Sequence, residues 1–127
     1  MEAKGASGVP VLMDHSQAEN VQGASPMELL LMGVGGCSAI DIISILKKQR
    51  KTIDSYTIEI EGETKEVREA KPFKAIALKI YLEGDIPAEK VIRAAELSFE
   101  KYCSVVITME ATVDVSYQVY LNGEKIV

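Results

Sequence analysis

ASPMELLLMGVGGCSAIDII, residues 24–43, combines a helix-start signal with the longest apolar run in the chain. Ser25 suits an N-cap, Pro26 the first helical position and Glu28 the third, giving a capping box ahead of apolar residues. The helix is predicted to run to about Arg50. Lys47, Lys48, Arg50 and Lys51 gather at its C-terminal end, where cations favour the macrodipole. Inside it, Gly33, Gly35 and Gly36 lie just ahead of Cys37. Each glycine costs a helix ~1 kcal/mol relative to alanine, so the three together give up about 3 kcal/mol of local propensity. Either another part of the chain comes close to this turn, or space is kept open beside the sulfur.

Met27 to Leu46 is also of bilayer length, ~20 residues with few polar side chains. Asp41 lies within it, at an insertion cost of ~2.5–3.5 kcal/mol, and the glycines interrupt it. The segment therefore reads as the buried centre of a soluble protein, covered in part by another subunit, and no membrane partner is expected. On its N-terminal side, Val9–Met13 reads as a short edge strand, followed by a polar loop from Asp14 to Ala24. On its C-terminal side, Tyr56, Ile58 and Ile60 alternate with Thr57, Glu59 and Glu61, the pattern of a half-buried strand. After Pro72 the run FKAIALKIYLEG (73–84) alternates again, with Lys74 and Lys79 marking its solvent side, so the two strands are predicted to pair as a hairpin. A second helix opens around Asp85-Ile-Pro-Ala-Glu and is predicted to end near Cys103. On a 100° wheel Ile92, Ala95, Phe99 and Cys103 share one stripe, and Glu89, Arg93, Glu96 and Glu100 another. A last strand, Ala111–Leu121, ends at the turn signal Asn122-Gly123.

These elements form one α+β domain over residues 1–127, with helices packed on the apolar face of a mainly antiparallel sheet. With 47% apolar and 26% charged residues, the chain has the composition of a folded domain rather than a disordered segment. A formal net charge of −5 and the lack of a clustered basic face argue against a nucleic-acid partner. The opening MEAKGASG has no apolar core of a signal peptide, so a cytoplasmic location is expected.

Two cysteines in such a setting are inert core thiols, a metal site or a redox pair. Cys37, Cys103 and His15, the only histidine, fall short of a four-ligand set and share no ligand spacing, so neither metal nor cofactor is expected. A structural disulfide is disfavoured by compartment. Spacing alone favours inert thiols, since free cysteine is commonly buried. Against this stand the glycines and the inward position of each cysteine on its own helix.

The stretch 24–43, together with KYCSVV (101–106), resembles the OsmC/Ohr superfamily and above all its YhfA-like branch. The resemblance runs from Val9 onward and includes the order of the elements, with the N-terminal strands shortened. It implies an OsmC-like fold, an intertwined homodimer in which two central helices are sheathed by sheets, with the reactive site at the subunit interface. It implies that Cys37 is the peroxidatic thiol and Cys103 the resolving one. The hydroperoxide-reducing branches carry N-P-E and an arginine from an N-terminal strand. Here Met27 follows the proline, Glu28 comes one position later, and no arginine precedes Arg50. Arg50, Arg68 and Arg93 match no family site, and Asp14 and His15 read as solvated or capping residues.

The expected activity is a thiol-dependent peroxidase acting on organic hydroperoxides in oxidative-stress defence, with a cellular dithiol as reductant. Met27, Leu30, Leu31, Val34 and Phe99 are the apolar neighbours that would favour an alkyl substrate. Asp41, one turn after Cys37, would raise a nearby thiol's pKa and slow it. The competing expectation is a non-catalytic or redox-sensing dimer of the same fold that binds a small apolar ligand.

Overall fold

The computed structural model describes residues 1–127. Its elements are β1 (Glu2–Lys4), β2 (Pro10–Leu12), α1 (Pro26–Lys48), β3 (Ser55–Thr64), β4 (Phe73–Glu83), α2 (Ala88–Leu97), a π-helical turn (Ser98–Tyr102), α3 (Ser104–Met109), β5 (Asp114–Leu121) and β6 (Glu124–Lys125). The capping box forms as read from the sequence. The Ser25 hydroxyl accepts from the Glu28 N–H at 3.2 Å, and the Glu28 carboxylate accepts from the Ser25 N–H at 3.3 Å. The helix stops two residues short of Arg50 because that residue takes a left-handed conformation, φ 60°, which cannot continue it.

β3 and β4 form the expected hairpin, with Tyr56 opposite Leu82 and Ile60 opposite Leu78. β5 then lies beside β4 in parallel, Ile76 opposite Val115 and Leu82 opposite Leu121. Parallel neighbours need a long crossover, and α2, the π turn and α3 supply it. Asn122 and Gly123, with φ of 51° and 84°, make the two-residue turn to antiparallel β6, both positive φ values as type I′ hairpins require. Two of the three pairings in this four-stranded sheet are therefore antiparallel. The predicted strand at Val9–Met13 shortens to β2, paired with β1, whose Glu-Ala-Lys sequence carries no apolar alternation to announce it.

The helices cover one face of the sheet. Val34, Ile42 and Leu46 of α1 meet Ile76, Leu78, Ile80 and Leu82 of β4, Val119 of β5, and Val91 and Ala95 of α2, all essentially inaccessible to water. On the other face Lys79 is exposed and Tyr81 stacks on Tyr120 with ring centroids 4.9 Å apart. A Cβ at Gly35 would touch Ile58 Cδ1 of β3 at 3.4 Å, an ordinary van der Waals contact, so the packing of β3 does not itself demand glycine there. Gly33 faces Val105 of α3, whereas a Cβ on Gly36 would have nothing within 4 Å.

Gly36 belongs to a face of α1 that the single chain leaves uncovered, shared with Met32, Ile40 and Ile43, which are 53%, 71% and 39% exposed. The helix is long and apolar enough to cross a membrane by length and composition alone, while its opposite side, with Val34, Ile42 and Leu46, is buried in the core.

Candidate active site

The predicted second helix does not carry Cys103. Its α-helical part ends at Leu97, and the next five residues widen into a π turn in which the Cys103 N–H donates to the Ser98 carbonyl, five residues back, at 2.7 Å. Cys103 itself is extended, φ −75° and ψ 100°, at the hinge between the π turn and α3. Single-turn π segments of this kind recur at functional sites. The inward stripe survives the change: Ala95, Phe99 and Cys103 are buried and Ile92 is half-buried. The last strand starts at Asp114 rather than Ala111, because the N–H groups of Thr112 and Val113 still donate to the Met109 carbonyl at the end of α3.

This geometry brings the two cysteines together. Cys37 is half-buried on α1 and Cys103 is fully buried. The Sγ atoms of Cys37 and Cys103 and a carboxylate oxygen of Asp41 all lie within 4.8 Å of one another. Asp41 sits one helical turn beyond Cys37, so both project from the same side of α1 toward the hinge. Ser98, at the head of the π turn, holds the carboxylate: its hydroxyl lies 3.0 Å from Asp41 Oδ2 and 3.5 Å from the Ser38 carbonyl. Ser38 is also buried, and its own hydroxyl donates to the Gly35 carbonyl at 2.9 Å.

Burial is the main force on the Cys103 thiol and pushes its pKa up to about 11. The Val106 N–H pulls the other way, while the Cys37 sulfur and the Asp41 charge add to the rise. At neutral pH Cys103 is a thiol, suited to giving up its proton only as it forms a bond. The chain's ion pairs lie elsewhere, such as Lys74 with Glu63 and Arg93 with Glu96, so no cation is paired with Asp41.

Asp41 also borders a cleft of about 560 Å³ whose walls include Ile45, Lys48, Leu97 and Tyr102. None of the five apolar residues singled out from the sequence lines it. Val34 and Phe99 belong to the core, Phe99 stacking on Tyr117 at 4.2 Å, and Leu30 is 49% exposed. Ser98, Lys48 and Tyr102 were not foreseen in the site. Only the i, i+4, i+7/i+8, i+11 spacing of Cys37, Asp41, Ser44, Ile45 and Lys48 on one helix face could have pointed to the cleft. Asp14 and His15 sit apart from the cysteines in the β2–α1 loop. The Asp14 carboxylate accepts from the Gln22 N–H, which holds its pKa below the usual value, and His15 Nδ1 accepts from the Gln17 N–H.

Comparison with known proteins agrees with this architecture. Residues 17–118 match the model of the OsmC-like protein family. Protein YhfA of Escherichia coli (strain K12) is 41% identical over 115 residues, 88% of this chain and 82% of that protein. The crystal structure of a hypothetical protein from Aquifex aeolicus VF5 is 30% identical with a TM-score of 0.77, over 94% of this chain and 86% of that one. An organic hydroperoxide resistance protein from Elizabethkingia anophelis shares the fold at 14% identity, with a TM-score of 0.74 over 95% of this chain and 88% of that one. The matched span contains both cysteines, Asp41 and Ser98, and the chain belongs to the OsmC-like protein family.

Proposed function

We propose that the protein is a thiol-dependent peroxidase that reduces organic hydroperoxides in the cytoplasm, using Cys37 and Cys103. The observation that carries this reading is the meeting of the two sulfurs within 4.8 Å, from positions 66 residues apart, in a chain of the OsmC-like family. The name of the Elizabethkingia relative points to the same substrate class. Cys37 as thiolate attacks one peroxide oxygen; the S–O bond forms, the O–O bond breaks and the alcohol leaves after protonation. Cys103 then attacks the sulfenic sulfur, and its proton leaves with the sulfenic hydroxyl as water as the disulfide closes. A cellular dithiol restores both thiols by exchange, becoming a disulfide itself.

The active form is a homodimer in which the uncovered Met32, Gly36, Ile40 and Ile43 face of α1 meets its counterpart. A 23-residue central helix with one side in the core and an apolar stripe on the other supports this. The experiment is to mix reduced protein with cumene hydroperoxide and count free thiols with time. Wild type is expected to lose two thiols per chain, and Cys37→Ser none. Consumption of peroxide by Cys37→Ser at the wild-type rate would refute the assignment.

One observation favours a redox-sensing role instead: no cation is paired with Asp41, and none figures among the groups that act on the Cys103 thiol. A sensor would oxidise once and slowly, without turnover in the presence of a dithiol.

A further inference from the structure

Cys37, Asp41 and Cys103 are not only a redox arrangement. The sequence offered two thiols and one remote histidine, short of a metal set; the fold adds a carboxylate to the same point in space. In a tetrahedral zinc site with Zn–S near 2.3 Å, ligand sulfurs stand about 3.8 Å apart, and the sulfur-to-oxygen separations are slightly shorter. The three ligand atoms here all fall within 4.8 Å, so closing on a cation takes about 1 Å of movement.

The surroundings fit as well as the spacing. Ser98 donates to Asp41 Oδ2 at 3.0 Å, which fixes the carboxylate's orientation and leaves its other oxygen free, the outer-shell arrangement that supports a metal-bound ligand. Two thiolates, one carboxylate and a divalent ion leave a net charge of −1, and the cleft bordering Asp41 carries Lys48. Three protein ligands leave the fourth position of a tetrahedral zinc ion to water or another small ligand.

We propose that the reduced protein binds one zinc ion per chain through Cys37 Sγ, Cys103 Sγ and an Asp41 carboxylate oxygen. Binding displaces both thiol protons to the buffer and involves no change of oxidation state. The site is therefore open to zinc only while both cysteines are reduced. This inference does not depend on peroxidase turnover, and its test reads occupancy alone.

The test is to titrate the reduced chain anaerobically with zinc chloride against a chromophoric chelator. One equivalent is expected to bind at micromolar or tighter affinity. Cys37→Ser and Cys103→Ser should each weaken binding at least 100-fold, and Ser98→Ala, with its ligands intact, by about 10- to 100-fold. Oxidised wild type, which needs no substitution and so guards against misfolded variants, should bind none. Zinc should also protect Cys37 of the reduced protein from iodoacetamide. Equal zinc binding by reduced and oxidised wild type, or no binding at 100 μM, overturns the proposal. Zinc binding by a protein without peroxidase activity overturns only the function proposed above, and peroxidase activity without zinc binding overturns only this site.

Discussion

The Ser98 hydroxyl reaches the Asp41 carboxylate at 3.0 Å, joining the start of the π turn to the middle of α1 across 57 residues of sequence. This bond fixes the hinge beside Cys103 against the helix that carries Cys37. Both cysteines are consequently held by one polar link as well as by core packing.

Ser98→Ala deletes that link and leaves the half-buried Asp41 carboxylate without its partner. Hydrogen bonds to charged groups contribute about 1.5–3 kcal/mol, so urea unfolding should show a loss in that range at pH 7. Ser98→Thr, which keeps a hydroxyl, should lose less. Equal losses in the two variants would mean that packing, and not the bond, holds the hinge.

The buried Cys103 thiol makes stability sensitive to alkali. Its folded pKa is about 11 against an ordinary 9.0, so between those values the unfolded chain has released a proton that the folded chain keeps. Stability from this group is complete below pH 9 and falls as the pH rises through 11. Wild type should lose more stability than Cys103→Ser across this interval, as followed by urea midpoints at fixed pH. Parallel curves would place the thiol in contact with water.

Tyr56 carries its hydroxyl into the protein without a hydrogen-bond partner, and burial raises its pKa above the usual tyrosine range. An unpaired buried hydroxyl costs about 1–3 kcal/mol, so Tyr56→Phe should leave stability unchanged or raise it by about 1 kcal/mol. A loss above 1 kcal/mol would reveal a partner for that oxygen.

Ile40, 71% exposed on an otherwise apolar helix face, is the sharpest probe of self-association. Ile40→Glu should weaken the proposed dimer about 30-fold or more, the effect of losing a 2 kcal/mol anchor, and shift the sedimentation velocity profile toward monomer. A wild-type chain that sediments as a monomer at 50 μM would remove the basis of this prediction.

The parts of the fold visible in the sequence are those governed by local chemistry. Ser25, Pro26 and Glu28 announce the start of α1 because capping needs only neighbouring residues, and β3 and β4 show in their alternation. Alternation says nothing about direction, so the parallel seating of β5 on β4 had to come from the tertiary structure. The π turn is equally silent, because one extra residue in a helix leaves no mark on composition. At the site, Cys37 and Cys103 were legible as inward-facing thiols and through family resemblance. Asp41 was visible as a neighbour of Cys37, but its place beside both sulfurs is secured by Ser98, which looks from sequence like any small helical residue.

The parallel seating of β5 also orders events during biosynthesis. α1 and the β3–β4 hairpin lie N-terminal to the crossover and are synthesised before β5. Cys103 sits inside the crossover, whose C-terminal end leads into Asp114–Leu121 alongside Ala75–Leu82. Cys37 is thus synthesised 66 residues ahead of its partner thiol, and the pair exists only once the crossover has packed against α1.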